Sequence, residues 1–462
     1  MNTYKKLLKF LIIAIFLNTL NGCCHIPNRL ELRAPSVLPH TTRQMKTAGF
    51  WIEKIAEPDR VVLNPQAIDA FNTHTQDQGK LITDITRLQP AVKGAELVAD
   101  FRESLNSMRR QPLFLASGKK ASGEFFDRLA ELMNVDAVLE EASVRYGLVV
   151  HYTDQRILPT TDALMAREGD VDFDELQNSS LDVGEPVAIL HQSRDGRWLY
   201  CETRLTQGWV QAQDIAVADI SDVKRYAARD HFVVVTSAKA DIFLDRQLTR
   251  YYDYARMGMV LPLLSEHDQT VEVAIPTRNP EGTLAEVSGY LTRRDISVGF
   301  LPYTQRNMID QAFKLLNSPY GWGGMYGEQD CSRFVQEVFS TVGIVMPRNS
   351  GQQAQVGVLA ASFSAQEGTE AKSAALRNTA IPGITTFYMK GHIMLYLGSV
   401  EGRPYAIHAP WGYREESSSA KEAIRVLNRV VVSDLSLGEG SRKGSLLERL
   451  LSVRRVDGLA GE

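Results

Sequence analysis

The spacing of hydrophobic and polar residues changes several times along the chain. Residues 45–143 carry apolar residues at helical spacing, which predicts a helical N-terminal domain. Residues 144–218 and 219–300 instead contain short runs of β-branched and aromatic residues between turn residues, which predicts two small β-barrels in succession. Helical and strand patterns occur together in residues 301–462. We therefore expect a multidomain α+β protein.

One cysteine of the C-terminal region lies where a glycine-rich loop gives way to an amphipathic helix. An apolar stripe that starts at Phe334 and ends at Val342 predicts the helix, so Cys331 falls in or just before its first turn. The free N–H groups and the positive dipole end of a helix stabilise a thiolate at that position. A lone cysteine is more often a buried structural residue, so the interpretation of Cys331 as a nucleophile depends on finding a base for it.

Two histidines follow in segments that have strand character. His392 and His408 lie in runs rich in β-branched and aromatic residues, and the short link at residues 399–402 is typical of a hairpin. A three-residue loop, 399–401, would place the histidines directly opposite each other, whereas a register shifted by one residue would place them on opposite faces. We interpret Cys331 as the nucleophile, His392 as the general base and His408 as the residue that orients it.

These residues and their neighbours resemble the NlpC-like cysteine peptidases of bacterial cell walls, a papain-like group with a Cys-His-polar triad. The resemblance extends over residues 301–462 and rests on these segments, in this order: Pro319-Tyr320-Gly321-Trp322-Gly323-Gly324, Asp330-Cys331-Ser332, Pro347-Arg348-Asn349-Ser350, Gly391-His392 and Ile407-His408-Ala409. It implies that Tyr320 reaches the active site and helps the backbone N–H of Cys331 to bind the oxyanion. It also implies that Trp322 forms a wall of the substrate pocket.

The resemblance further implies hydrolysis of the bond between γ-D-glutamate and a diamino acid, either diaminopimelate or lysine, in peptidoglycan stem peptides or muropeptides. The barrels resemble bacterial SH3-like domains, and in the subfamily concerned the first barrel closes one end of the cleft. An acidic group there selects a free N-terminal amine, that of L-alanine. Asp330 is the leading candidate for this group, with Asp174 and Glu175 of the barrel as further candidates. A helix N-cap for Asp330 and solvated surface positions for the other two are the alternatives.

Three other residues of the same motifs are candidates for substrate contacts. Arg348 and Ser350 carry the guanidinium and hydroxyl groups that suit the free α-carboxylate of γ-D-glutamate. Ser332 directly follows the nucleophile. Many relatives carry aspartate at the position of Asn349, so this subsite departs from the family pattern.

The N-terminus has the pattern of an export signal. Lysines precede an apolar run at residues 10–17 that is too short to span a bilayer, and Leu20-Asn21-Gly22-Cys23 resembles a bacterial lipobox. We therefore expect a signal peptide over residues 1–22, lipidation at Cys23, membrane attachment through that lipid and a tether over residues 23–44. Cys24 in the next position favours, by resemblance, an outer-membrane lipoprotein that faces the periplasm if the cell is Gram-negative. A simple secretory signal is the alternative.

Composition narrows the choice of function. A formal net charge of −4 argues against nucleic-acid binding, which needs a basic surface. The four cysteines, Cys23, Cys24, Cys201 and Cys331, lack the spacing of a disulfide framework or a zinc site. Hydrolysis through a thioester needs no metal and no organic cofactor, so we expect neither. Two other functions stay open. One is a lipoprotein that binds peptidoglycan through its barrels and has a vestigial peptidase domain; the other is a papain-like acyltransferase or amidase.

Overall fold

The computed structural model describes residues 30–77, 79–228, 230–364, 366–415 and 422–459. The predicted signal peptide and the predicted lipidation site at Cys23 lie outside these residues and stay predictions. Within the described ranges, no helix is both long and apolar enough to cross a bilayer.

The segment before the first barrel alternates short strands with amphipathic helices. The last of its longer helices begins at a capping residue: the Ser122 hydroxyl accepts a hydrogen bond from the backbone N–H of Phe125. The elements are β1 (Leu30–Arg33), α1 (Ala48–Ile52), β2 (Val61–Leu63), α2 (Pro65–Asp77), β3 (Ala91–Lys93), α3 (Gly94–Arg109), β4 (Phe114–Leu115), α4 (Gly123–Leu132) and β5 (Glu141–Ser143).

The first barrel is an antiparallel sheet whose alternate side chains fill its interior, among them Val187, Ile189 and Leu199. Its strands are β6 (Arg145–Val149), β7 (Thr153–Arg156), β8 (Leu164–Met165), β9 (Gln177–Leu181), β10 (Pro186–Gln192), β11 (Trp198–Glu202), β12 (Gln207–Gln211) and β13 (Ile215–Ala218). Seven of them hydrogen-bond in the order β13-β6-β10-β11-β12-β7-β9, whereas β8 pairs with β4. Cys201 is fully buried here, as expected of a small core residue.

The second barrel follows helix α5 (Ile220–Ala228) and has its own apolar interior, which includes Val233, Ile242 and Leu261. Its strands are β14 (Phe232–Val235), β15 (Lys239–Phe243), β16 (Tyr251–Arg256), β17 (Val260–Glu266), β18 (Thr270–Arg278), β19 (Leu284–Thr292) and β20 (Ile296–Val298). They hydrogen-bond in the order β16-β15-β19-β18-β17-β14-β20.

The C-terminal domain packs helices against a mixed-length sheet of six strands in the order β22-β29-β23-β24-β25-β28. Phe334 and Val338 of helix α7 share one core with Ile393 and Leu395 of strand β24. The elements are β21 (Tyr303–Thr304), α6 (Gln305–Lys314), α7 (Cys331–Ser340), α8 (Ser350–Gln353), β22 (Val358–Ser362), α9 (Thr369–Thr379), β23 (Thr385–Met389), β24 (His392–Val400), β25 (Arg403–His408), β26 (Gly412–Glu415), β27 (Glu422–Val426), β28 (Val431–Asp434) and β29 (Ser452–Arg455).

The segment predicted as a helical N-terminal domain contributes to two different cores. Trp51 and Phe71 are buried in the core of the C-terminal domain, and the Trp51 ring lies 5.3 Å from that of Tyr405. Phe101 instead packs against the first barrel, with its ring 5.3 Å from that of Trp209. Short amphipathic helices gain most of their stability from the surface on which they pack. The first half of the segment is therefore stabilised by the C-terminal domain and the second half by the first barrel.

The predicted tether is partly docked on the C-terminal domain. Strand β1 pairs in parallel with β27, and Arg33 donates to the Glu415 carboxylate over 2.9 Å. Leu38, a little further along, is buried in the same domain. At least residues 30–38 are therefore part of the folded body, because they have strand partners and an apolar pocket there.

Candidate active site

Cys331 is the first residue of helix α7, as the apolar stripe predicted. The Asp330 side chain caps this helix by accepting a hydrogen bond from the backbone N–H of Arg333 at 2.8 Å. Cys331 lies against the neighbouring strand, where the backbone N–H of Ile393 hydrogen-bonds to its thiol. The helix start and the strand thus hold the sulfur between them.

The resting state of the cysteine differs from the thiolate that we expected at a helix start. Burial, and then the adjacent Asp330 carboxylate, raise the pKa of Cys331 to about 12. These two effects outweigh the stabilisation by backbone N–H groups. In the substrate-free protein Cys331 is therefore a thiol, and an attack by its sulfur would need a base.

The hairpin that carries both histidines has a shorter turn than predicted. Val400 pairs with Arg403, so the loop is Glu401-Gly402 and not residues 399–401. Both loop residues have positive φ, 51° and 76°, which is the pattern of a type I′ turn. The condition for direct opposition of the two histidines, a three-residue loop, is therefore not met.

A β-bulge brings the two histidines back to one face. It lies between Tyr396 and Gly398 and shifts the ladder by one residue. Because strand side chains alternate between faces, the turn register alone would have put His392 and His408 on opposite sides of the sheet. With the bulge they are diagonal neighbours on the same side.

The two imidazoles form a buried chain of hydrogen bonds with a serine. His392 Nε2 lies 2.7 Å from His408 Nδ1, and His408 Nε2 lies 2.9 Å from the Ser433 hydroxyl oxygen. Burial, and then the positive charge of Arg449, lower the pKa of His392 to about 3. Burial, and then His392, hold the pKa of His408 well below its usual value. Both imidazoles are thus neutral, and Nδ1 of His392 can act as a base when the proton shared by the two rings is on Nε2 of His392. The sequence motifs gave no signal for Ser433.

The glycine-rich loop before the helix is held by the first barrel. Gly323 and Gly324 have φ of 62° and 87°, and a Cβ on Gly324 would lie 2.2 Å from the Ser180 hydroxyl oxygen. The Tyr152 hydroxyl donates to the carbonyl of Gly324 over 2.7 Å and accepts from the N–H of Gly327 over 3.0 Å. Glycine is needed here both for the left-handed backbone and for the close approach.

A phenylalanine of the first barrel packs against Tyr320 and Trp322, which the sequence predicted at the cleft, and against Trp411. The Phe173 ring lies 6.3 Å from that of Tyr320, 5.3 Å from that of Trp322 and 5.1 Å from that of Trp411. The Trp411 indole N–H donates to the Asp172 carboxylate over 2.8 Å. This barrel loop therefore forms one wall beside Tyr320 and Trp322. Sequence analysis missed Phe173, Asp172 and Trp411, whose contacts join segments far apart in the chain.

Comparison with known proteins identifies two regions of the chain. Residues 317–424 match the model of the NlpC/P60 family, and residues 163–211 match that of the SH3 domain of the SH3b1 type. The C-terminal domain is an NlpC/P60 domain. The first barrel is an SH3b domain, and the resemblance read from the sequence is thereby confirmed for these two units.

A solved structure shows the same fold over most of the chain. An NlpC/P60 endopeptidase from Photobacterium damselae subsp. piscicida is 21% identical and superposes with a TM-score of 0.74 over 88% of this chain and 97% of its own. An NlpC/P60 family protein from Bacillus cereus is 18% identical, with a TM-score of 0.46 over 67% of this chain and 99% of its own. The first likeness confirms the multidomain α+β fold.

One curated relative matches part of the chain. It is a γ-D-glutamyl-L-lysine dipeptidyl-peptidase from Bacillus cereus, 28% identical over 144 residues. The match covers 30% of this chain and 40% of that protein. Peptidases of the NlpC/P60 family are cysteine peptidases, which is consistent with a cysteine at the start of helix α7.

In the NlpC/P60 domain, Arg348 and Asp330 form a buried ion pair. Arg348 donates to the Asp330 carboxylate over 2.6 and 3.2 Å, to the Ser332 hydroxyl over 2.9 Å and to the Ser179 hydroxyl of the SH3b domain over 3.2 Å. Although burial opposes ionisation, Arg348 and the hydrogen bonds keep the pKa of Asp330 below its ordinary value. Arg348 thus positions the helix cap and links the two domains. Its predicted contact with a substrate carboxylate, and that of Ser350 at the start of α8, stay predictions.

The two acidic residues predicted in the SH3b domain have different surroundings. Both carboxylate oxygens of Asp174 are engaged, one by Arg156 over 2.5 Å and the other by the N–H groups of Leu164 and Leu176. Asp174 is therefore a structural residue, neither solvated nor free for a ligand. Glu175 is also buried, with 9% of its surface exposed. Burial, and then the neighbouring Asp174, raise its pKa to about 7, and no cationic side chain among the described residues lowers it.

Buried charges connect the catalytic helix to both barrels. Asp182 of the SH3b domain accepts from Arg256 of the second barrel over 2.8 Å and from Arg333 of helix α7 over 2.6 Å. Arg333 also bonds Glu337 over 3.0 Å. Asp182 and Arg256 are completely buried. The helix that begins at Cys331 is thus fixed to the barrels two residues beyond this cysteine.

Proposed function

We propose that the chain is a cysteine peptidase that hydrolyses the bond between γ-D-glutamate and a diamino acid in peptidoglycan stem peptides. The observation that carries the proposal is that the thiol of Cys331, at a helix start, is hydrogen-bonded by the N–H of Ile393, the residue next to His392 of the buried, neutral His392–His408 pair, within an NlpC/P60 domain. The name of the Bacillus cereus relative supports the choice of bond. The reaction needs no metal or organic cofactor.

The geometry supports a two-step reaction through a thioester. His392 Nδ1 takes the thiol proton while the sulfur of Cys331 attacks the γ-carbonyl carbon. The tetrahedral intermediate collapses, the C–N bond breaks, and the leaving amine takes the proton from His392. Water, deprotonated by His392, then attacks the thioester and releases the acid and the thiol. His408 keeps the base oriented through its 2.7 Å contact.

The negative oxygen of the intermediate needs hydrogen-bond donors. In this proposal they are the backbone N–H of Cys331, which is free at the helix start, and the Tyr320 hydroxyl. In the same proposal, Trp322 and Phe173, whose rings lie 5.3 Å apart, form the wall of the substrate pocket beside these donors. Removing a single donor of this kind from an enzyme usually lowers kcat about 100- to 1,000-fold.

The wall contributed by the SH3b domain supports a preference for peptides with a free N-terminal L-alanine. The loop that carries Phe173 packs onto the NlpC/P60 domain and closes one side of the pocket. Glu175, two residues further, is a buried carboxylate that no cation among the described residues pairs with, so a substrate ammonium suits it as a partner. Asp330 suits this role less well because Arg348 already neutralises it.

The proposal is tested with two peptides, L-Ala-γ-D-Glu-diaminopimelate and the same peptide acetylated at its amine, and with their lysine analogues. Product mass spectrometry is expected to show L-Ala-γ-D-Glu released from the free-amine peptides only. Cleavage of both forms would contradict the free-amine preference, and the assignment as a peptidoglycan peptidase would still hold. Cleavage of none, with turnover of an unrelated amide or acyl donor, would overturn the peptidoglycan assignment.

Replacing Glu175 by glutamine is expected to raise KM for the free-amine peptide about 10- to 100-fold with little change in kcat, because a charge-assisted hydrogen bond is lost. In the unmodified protein, KM should rise as pH falls below about 7, since the carboxylate is then protonated. The variant should lose this pH dependence. Steady-state kinetics between pH 5 and 8 measure both effects.

The matched control is Glu168→Gln, an exposed carboxylate in the same barrel. It should leave KM and its pH dependence unchanged. If Glu175→Gln behaves like this control, another group binds the ammonium.

We propose a location in the bacterial cell envelope, where peptidoglycan is found, with Cys23 as the lipid attachment site. Strand β1 begins only seven residues after Cys23. Seven residues of fully extended chain span about 25 Å. A lipid on Cys23 would therefore keep the catalytic domain close to the membrane. Mass spectrometry of the protein from membranes, compared with a Cys23→Ala variant, tests this attachment.

A further inference from the structure

Ser433 lies at the inner end of the hydrogen-bond chain that starts at the catalytic base. It belongs to strand β28 and pairs with Ala406, so its side chain is on the same face as that of His408, two residues beyond Ala406. Ser433 and His408 are completely buried, and 2.9 Å separates the hydroxyl oxygen from His408 Nε2. Three neighbouring strands thus each supply one member of the chain.

In the resting pair, the direction of these hydrogen bonds is not unique. A hydroxyl group can either donate or accept, so the proton between the two imidazoles can belong to either ring. The Ser433 hydroxyl can serve as the partner of His408 in both cases. The resting geometry alone therefore gives Ser433 no special role.

Proton transfer removes this freedom. Once His392 has taken the thiol proton, both of its nitrogens carry hydrogen, and Nε2–H must donate to His408 Nδ1. The single proton of neutral His408 is then on Nε2, and it needs an acceptor. The Ser433 oxygen is the group at hydrogen-bond distance from that nitrogen, and a buried N–H without an acceptor is costly.

We propose that Ser433 is a positioning residue that accepts the Nε2–H of His408 and so stabilises the thiolate–imidazolium pair of Cys331 and His392. The inference rests on the proposed roles of these three residues. It acts on the reaction and not on substrate binding, because Ser433 lies behind the histidines.

Replacing Ser433 by alanine is expected to lower kcat about 10- to 100-fold without changing KM, as the loss of a charged hydrogen-bond chain would. Alkylation of Cys331 by iodoacetamide in the full chain should slow by a similar factor between pH 6 and 8, because it requires the same ion pair. Peptide mapping by mass spectrometry follows this cysteine separately from the others. The alkylation assay needs no substrate.

Further variants separate the acceptor from packing. Ser433→Thr keeps the hydroxyl and should restore most of the rate, whereas Ser433→Cys keeps the volume but accepts poorly and should resemble alanine. The matched control is Ser436→Ala, which removes a hydroxyl bonded to Asp434 in the next turn. It should react like the unmodified protein.

Each outcome decides between the two proposals. Unchanged alkylation in Ser433→Ala, or equal slowing in the threonine and alanine variants, would overturn the role of Ser433. Slowed alkylation in a protein that cleaves none of the peptides would support this role and reject the proposed substrate.

Discussion

Replacing Cys331 by alanine is expected to lower kcat/KM for the free-amine tripeptide by about 10⁴-fold or more. The thioester cannot form without the sulfur, and nucleophile deletions in comparable hydrolases have effects of this order. The helix should persist, because alanine is a good helix former and the Asp330 cap does not involve the thiol. Product release measured by mass spectrometry, together with the thermal unfolding midpoint, checks both statements.

The control for this variant is Cys201→Ala, which removes the other buried thiol that the structure describes. It lies in the interior of the SH3b domain, so it should cost some stability and leave turnover by the folded protein unchanged. Measurable thioester chemistry in Cys331→Ala, or equal activity loss in both variants, would contradict the assignment of the nucleophile.

The second large effect is expected for Asp182→Asn, a nearly isosteric change at the junction of the three domains. It should lower the free energy of unfolding by about 3 kcal/mol, because two buried guanidinium groups lose their shared counter-charge. Burial opposes ionisation of Asp182, but Arg256 and then Arg333 hold its pKa below the ordinary value, so the charge is present at neutral pH. Guanidinium-induced unfolding followed by tryptophan fluorescence measures the loss.

Turnover should fall as well, because Arg333 is two residues from the nucleophile and anchors its helix. Glu57→Gln is the control: its ion pair with Arg60 is 3.7 Å long and exposed, and such pairs contribute less than about 1 kcal/mol. A double variant, Asp182→Asn with Arg256→Met, should be less destabilised than the two single changes added together. Equal stability of Asp182→Asn and the control would show that the buried charges do not hold the domains.

Local sequence patterns were sufficient for much of the architecture. The apolar stripe from Phe334 onwards placed Cys331 at a helix start, because helical periodicity is a property of a few neighbouring residues. Alternating strands with turn residues indicated the two barrels in the same way. The order of the motifs around Cys331, His392 and His408 pointed to the family whose model matches residues 317–424.

Other features depend on contacts that local patterns do not contain. The hydrophobic pattern of residues 45–143 predicts one helical domain, but Trp51 and Phe101 pack into different cores. Which core each helix joins depends on which distant surface buries its apolar side chains. The wall formed by Phe173 likewise joins the SH3b domain to residues more than a hundred positions away.

The sequence by itself determined which residues we propose for the chemistry: a cysteine at a helix start, two histidines on a hairpin and acidic residues in the first barrel. Only the tertiary structure decided how they act. A bulge put the histidines on one face of the sheet, and Ser433 extended their chain of hydrogen bonds. The buried guanidinium of Arg156 neutralises Asp174, whereas no cation among the described residues pairs with Glu175. The reason is that side-chain direction, burial and charge pairing depend on strand register and on distant neighbours, which together set the pKa of each group.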